Sequence, residues 1–212
     1  SDDLASGVAT DSSGNVYVTG YTAGGLDNNT YLGNEDIFLV KYNSSGTKQW
    51  TKQLGTDSQD RANGVVVDSS DNIYVTGRTG GALDGNTSFG YDTDIFLLKY
   101  SPNGTKHWTK QLGTSSGDWA FGVATDSPGN VYVTGFTSGA MDGSNAGSTD
   151  IFLVKYNSSG TKQWTKQLGT SSVDIATGVA TDSSGNVYVS AHTYGSLDNN
   201  TNLGGTNPSD II

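Results

Sequence analysis

The chain has 212 residues, of which 33% are hydrophobic, with 30 glycines, no cysteine and a formal net charge of −10. Without cysteine there is neither a disulfide framework nor a thiolate metal site. Acidity of this size argues against a nucleic-acid partner, which needs a basic surface, and no apolar run is long enough to cross a bilayer, so membrane insertion is not expected.

The first predicted strand is Gly7–Thr10, GVAT. Asp11-Ser12-Ser13-Gly14 follows, with Asp first and Gly fourth as a type I turn prefers. Asn15–Thr19, NVYVT, makes the second strand, with Val16 and Val18 on one face and Tyr17 on the other. A polar loop runs to Asp36. The third strand, Ile37–Tyr42, is apolar almost without interruption, as a strand covered on both faces should be. Asn43-Ser44-Ser45-Gly46 turns into the fourth strand, Thr47–Leu54. Simple alternation there puts Lys48, Trp50, Lys52 and Leu54 on one face and Thr47, Gln49, Thr51 and Gln53 on the other. Lysines on so polar a strand suit an outer edge, where charge blocks pairing with a stranger.

These elements then repeat. DIFLVKYNSSGTKQWTKQLG at Asp36–Gly55 returns letter for letter at Asp150–Gly169 and with five changes at Asp94–Gly113. GVATDSSGNVYVTG at Gly7–Gly20 recurs at Gly64–Gly77, Gly122–Gly135 and Gly178–Ala191. The period is about 57 residues, and the units run approximately over 1–56, 57–114, 115–170 and 171–212. In the third unit Pro128 falls at the third turn position, where it is disfavoured, so that turn is expected to shift by one residue. Sixteen of the 21 acidic residues sit in four repeated columns headed by Asp3, Asp11, Asp27 and Asp36. Four antiparallel strands per unit, a small Gly-containing first strand and a charged fourth one describe a propeller blade, with GVAT innermost and TKQWTKQL at the rim. The coils of a β-solenoid are shorter than this period. The fold class is therefore all-β: a propeller of four-stranded antiparallel blades, three complete and a partial fourth that holds the first two strands and, at Asp210-Ile211-Ile212, the first residues of the third.

Carried by GVATDSSGNVYVTG and DIFLVKYNSSGTKQWTKQLG, the chain resembles the bacterial beta-propeller repeat known as the seven-bladed or SBBP repeat. GVATDSSGNVYV is also similar to NHL repeats. The resemblance implies a secreted or cell-surface bacterial protein with no catalytic signature, and seven blades. Since 212 residues hold fewer, the segment is expected to be part of a larger propeller, completed by more chain or by a second copy.

The units differ at few places. All length differences fall in the loop from Thr22 to Asp36 and its equivalents, and loops tolerate insertion on exposed surfaces. Side-chain variation clusters in three columns: Tyr21, Arg78, Phe136 and His192; Leu4, Arg61, Trp119 and Ile175; and Ser6, Asn63, Phe121 and Thr177. With the four strands of a unit lettered a to d in chain order, all three lie, in an up-and-down blade, on the side of the b–c and d–a connections. This face is either drifted surface or a ligand surface, and Tyr21, Arg78, Phe136, His192, Arg61, Trp119, Asn63 and Phe121 are the binding candidates. Trp50, Trp108 and Trp164 are expected to pack between units, and Leu26, Leu83, Met141 and Leu197 to pin the b–c loop to a neighbour. Asp27, Asp84, Asp142 and Asp198 stand in oxygen-rich loops that could hold calcium, with an Asx turn as the competing reading; no cofactor is required.

An enzyme is not expected. Acid–base or nucleophilic chemistry wants a positioned base, and the two histidines, His107 and His192, occupy non-equivalent positions outside any motif. The reading is a non-catalytic extracellular or bacterial cell-surface module for binding or adhesion, its partner a protein or a glycan. The alternative is a structural protein that assembles a ring or filament by repeat stacking, without a small ligand.

Overall fold

The computed structural model describes residues 2–198 and 200, and the backbone of 210–211. Ser1, Ile212 and the side chain of Asp210 lie outside the described residues. Among the described residues the protein is all-β apart from 3-10 turns at Leu26–Asn28 and Leu83–Gly85, and none of their helices is long and apolar enough to cross a membrane. The first unit comprises β1 (Asp3–Thr10), β2 (Val16–Thr22), β3 (Asp36–Tyr42) and β4 (Lys48–Leu54). The second holds β5 (Asp60–Val67), β6 (Ile73–Thr79), β7 (Asp94–Tyr100) and β8 (Lys106–Leu112), and the third β9 (Asp118–Thr125), β10 (Val131–Thr137), β11 (Asp150–Tyr156) and β12 (Lys162–Leu168). The fourth has β13 (Asp174–Thr181), β14 (Val187–Thr193) and the two-residue β15 (Asp210–Ile211). Each unit is one antiparallel sheet with its strands in chain order. The four sheets stand in sequence and do not close on one another.

The turns follow from short polar side chains. Asp11 Oδ1 accepts from the amides of Ser13 and Asn15, and Oδ2 from Asn15 Nδ2 and the Tyr17 hydroxyl. The expected shift at Pro128 does not occur. Gly129 N still donates to Asp126 O, because Asp126 keeps its bonds from Asn130 and Tyr132; the proline lacks only the amide equivalent to that of Ser13.

Two other details depart from the sequence reading. The innermost strand starts at Asp3, not Gly7, because a bulge at Ser6 lets pairing continue to Asp3↔Thr22. Gly20 admits this bulge, since a Cβ there would stand 1.9 Å from Leu4 O. The outermost strand carries a second bulge: Tyr42 pairs with Lys48 but Lys41 with Trp50. Lys48 therefore leaves the face of Trp50 and joins Thr51, and both reach Asp27.

The apolar core lies between units. Ile37 and Leu39 of β3 pack with Val75, Leu83, Phe96 and Leu98 of the second unit. Ile95 and Leu97 of β7, from the opposite face of the same strand as Phe96, pack with Val133, Phe152 and Val154 of the third. That is why the third strand of each unit reads as a continuous apolar run. Leu83 and Leu197 are buried as expected, and Trp50 and Trp108 pack against Gly104 and Gly160 of the following units.

Carboxylates hold the junctions. Asp60, Asp118 and Asp174 are fully buried. Asp118 accepts from the Thr137 hydroxyl, from Thr114 N at 2.6 Å and from Thr114 Oγ1 at 3.1 Å. The next column is also buried: Asp94 accepts from Phe89 N and Gln111 Nε2, while its Oδ1, like those of Asp36 and Asp150, takes no hydrogen bond. Asp3, in the first unit described, is exposed.

Two predictions follow from this network. Asp118→Ala should cost about 3 kcal/mol in denaturant unfolding, because it removes charge-assisted bonds and strands the Thr114 amide, while Asp3→Ala should cost under about 1 kcal/mol. Burial pushes the carboxyls of Asp60 and Asp118 above their ordinary value of 3.8. The folded state then holds protons that the unfolded chain has released, so their contribution falls as pH rises above 3.8. At Asp126 burial acts upward, but the bonds from Asn130 and Tyr132 outweigh it and the net shift is downward, so that contribution is lost on acidification below 3.8. Stability measured against pH should fall from the acid range toward neutrality, and less steeply in Asp118→Asn.

Candidate ligand-binding surface

The b–c and d–a connections share one side of the molecule, where Asn34 N bonds Ser58 O and Gly80 N bonds Gln59 O. The a–b and c–d turns meet on the other, with Gly14 beside Ser44. Strand register then does something that linear spacing hides. Two of the variable columns are directly cross-strand paired: Leu4 with Tyr21, Arg61 with Arg78, Trp119 with Phe136, and Ile175 with His192. The third column, Ser6, Asn63, Phe121 and Thr177, occupies the bulge of each innermost strand.

The side chains reach across the junctions. The Arg61 guanidinium lies 4.4 Å from the centroid of the Tyr21 ring in the preceding unit and makes a bidentate ion pair with Glu35. One junction on, the Arg78 guanidinium lies 3.6 Å from the Trp119 ring centroid, and Trp119 Nε1 donates to Thr93 Oγ1 at 2.8 Å. Trp119, Phe121 and Phe136 form an aromatic cluster with centroids 5.3 to 6.3 Å apart. Asn63 Nδ2 donates to Ala120 O at 2.7 Å and Ser6 Oγ to Ala62 O at 2.5 Å. The structure thus brings Tyr21, Arg61, Arg78, Trp119, Phe121 and Phe136 onto one surface around the first two junctions. Asn63 serves the contact between innermost strands, and His192 stands apart, edge-on to Tyr194 in the fourth unit.

The electrostatics are lopsided. Arg61 and Arg78 are the only arginines in the chain, and Glu35 is its only glutamate. Two cations directly opposite on adjacent strands repel, and the one glutamate is taken up by Arg61. Arg78 is 7% exposed, and burial, followed by Arg61, pulls its pKa down. Glu35 and Thr93 were not singled out by the sequence reading. Their signal was available, since the residue before each Asp36-type aspartate also varies: Glu35, Thr93, Thr149.

The four loop aspartates have another role, and those of the first two units reach over the outermost strand. Asp27 holds Lys48 Nζ at 2.5 and 2.6 Å and the Thr51 hydroxyl; Asp84 holds Lys106 and Thr109. Asp142 accepts from Gln167 N at 3.0 Å, and Asp198 lines an apolar cavity of about 330 Å³ beside Leu197. Asp27, Asp84 and Asp198 adopt left-handed backbone, which aspartate tolerates in turns. Groups of three or more metal-ligating side chains are absent among the described residues. His107 is exposed on β8.

A beta-propeller repeat (SBBP) profile matches residues 1–27, 49–83, 107–140 and 163–198. The chain belongs to this beta-propeller repeat family. It is 31% identical to an uncharacterized WD repeat-containing protein of Acanthamoeba polyphaga mimivirus, over 68% of this chain and 12% of that protein. It is 30% identical to the regulatory protein FlaEY of Caulobacter vibrioides, over 82% of this chain and 20% of that protein. The chain therefore spans about an eighth and a fifth of these two relatives. Within this SBBP chain the repeated residues build the scaffold, and the odd residues gather where Arg61 faces Arg78.

Glu35→Gln leaves those two arginines without an acid. The variant should lose about 1 kcal/mol of stability in low salt, and the loss should shrink in 0.5 M salt as repulsion is screened. Urea titrations at both ionic strengths measure it.

Proposed function

We propose that the chain is a segment of a β-propeller that acts as a non-catalytic binding module at the bacterial surface, taking a glycan or a protein on the face of Tyr21, Arg61, Arg78, Trp119, Phe121 and Phe136. One observation carries the reading. In a chain whose units are otherwise near copies, the only arginines, the only glutamate and the one tryptophan outside the repeated column converge on one surface. A scaffold that merely repeats has no use for such asymmetry, whereas a site for an asymmetric ligand requires it. Half-buried aromatic rings beside guanidinium groups are the side chains enriched where proteins bind partners. The propeller geometry is supported by the innermost strands, which converge so closely that a Cβ on Gly122 would stand 3.0 Å from Val179 N. The reading needs no cofactor and assigns no reaction.

Assembly through stacked repeats is favoured by a different observation. Val8 is 67% and Leu4 50% exposed on the first unit, while their counterparts Val65 and Arg61 are covered by a neighbour. An open blade face of this kind accepts another blade.

Screening the 212-residue chain on glycan and protein arrays tests the first reading. A ligand is expected whose affinity falls about tenfold or more in Trp119→Ala and Tyr21→Ala and stays unchanged in His107→Ala. A concentration-dependent regular assembly with no ligand, or binding indifferent to both aromatic substitutions, overturns it.

A further inference from the structure

We propose that Arg78 is the anchor for a carboxylate, and that the surface around it takes a saccharide carrying an acidic sugar. The inference rests on the binding reading above and names its ligand.

Arg78 is an anomaly that the scaffold does not explain. Its equivalents are Tyr21, Phe136 and His192, so a permanent cation is not needed at this position to build a unit. At 7% exposure the residue is largely covered, while its N–H groups, which are not among the buried polar atoms without a partner, keep access to solvent; a charge so placed ordinarily has an ion-pair or hydrogen-bond partner. Arg61, across the strand, has one: both Glu35 oxygens are engaged by its guanidinium. Among the described residues Arg78 has no ion pair or hydrogen-bond acceptor of its own; Glu35, held by Arg61, acts on it only through its field, and its contact is with the face of Trp119 at 3.6 Å. Stacking uses the face of a guanidinium and leaves its in-plane N–H fork for a planar acceptor with two oxygens. The local charges, two arginines against one glutamate, leave a single positive charge unmatched in a chain of net −10.

Two features select the rest of the ligand. Trp119 and Phe136, half-buried and 5.3 Å apart, offer apolar ring faces beside the guanidinium. Arg78, Trp119 and Phe136 are three side chains at one junction, against the roughly 20–30 residues that each partner contributes to a stable protein complex. An acidic polypeptide would also bring many charges toward a strongly acidic chain, whereas a sugar acid brings few. An acidic peptide is therefore the disfavoured alternative, and the experiment separates the two.

The test uses the full chain and Arg78→Met, with Arg78→Lys as a second variant that keeps the charge and loses the fork. The probes are trigalacturonate, its methyl ester and a hexa-aspartate peptide. Binding is followed by titration calorimetry, and the unliganded proteins are melted. Trigalacturonate should bind the wild type about tenfold or more tightly than the neutral ester, and should lose about tenfold in both variants. Without ligand, Arg78→Met should melt no lower than wild type, because it removes a cation that repels Arg61 and has no ion pair of its own. A lower melting temperature for Arg78→Met would make Arg78 a structural stacking residue and overturn the proposal. So would trigalacturonate binding unchanged in both variants, tighter binding of hexa-aspartate, or no binding of trigalacturonate to wild type at millimolar concentration. Acid and ester binding equally, with loss in Trp119→Ala, would overturn the role of Arg78 and leave the binding surface standing. Failure of both probes together with silent arrays would remove the surface as well.

Discussion

A carboxylate buried at each junction is the constraint on which the structure depends. Asp60, Asp118 and Asp174 stand at the start of the innermost strands, out of water, each tied to a threonine of the second strand and to the threonine four residues before it. A buried carboxylate is tolerable only when donors surround it, and those donors come from two segments, the second strand of the unit and the connection that leads into the unit. The Asp36 column does the same for the b–c loop and the fourth strand through Leu32 N and Gln53. Gly55, Gly113 and Gly169 follow from this: a Cβ there would lie 2.0 to 2.1 Å from Oδ1 of Asp36, Asp94 or Asp150. Burial itself is supplied by the neighbour, as the exposed Asp3 shows. Polar network and apolar core thus make the same demand, because both are completed only when units stand side by side.

Much of this was legible in the sequence. Strand order, the tight turns at Asp11–Gly14 and Asn43–Gly46, the two-sided third strand and the buried loop leucines follow from residue type and period. The bulges were not legible. Ser6 and Gln49 look like ordinary strand residues, and only the backbone approach at Gly20 and the pairing of Lys41 with Trp50 reveal the extra residue. Alternation fails downstream of such a bulge, which is why Lys48 was placed on the wrong face. Pro128 misled in the opposite direction, since the Asp126 carboxylate holds the turn where the proline would loosen it.

The surface was half legible. Three variable columns were visible, but residues 17 apart in the chain, such as Arg61 and Arg78, become neighbours only through strand register. Their partners Glu35 and Thr93 come from the preceding strand connection, and no single-unit pattern joins them to Arg61 or Trp119. The consequence is a division of labour. Repeated residues specify a scaffold that is nearly indifferent to which unit it is, and a few unrepeated ones, at junctions the scaffold has already made rigid, give the second and third units a chemical identity. A rigid platform lowers the ordering cost of binding.

The central claim is that each unit is completed by its neighbour, and native-state hydrogen exchange measures it most directly. Amides of Tyr74–Thr79 and Tyr132–Thr137, buried on strands with units on both sides, should exchange slowest and lose protection together as denaturant is added. Amides of Val8 and of Val187–Ser190, on units flanked on one side among the described residues, should exchange faster and without that cooperativity. Equal protection across all four units, with independent opening of each, would contradict the account.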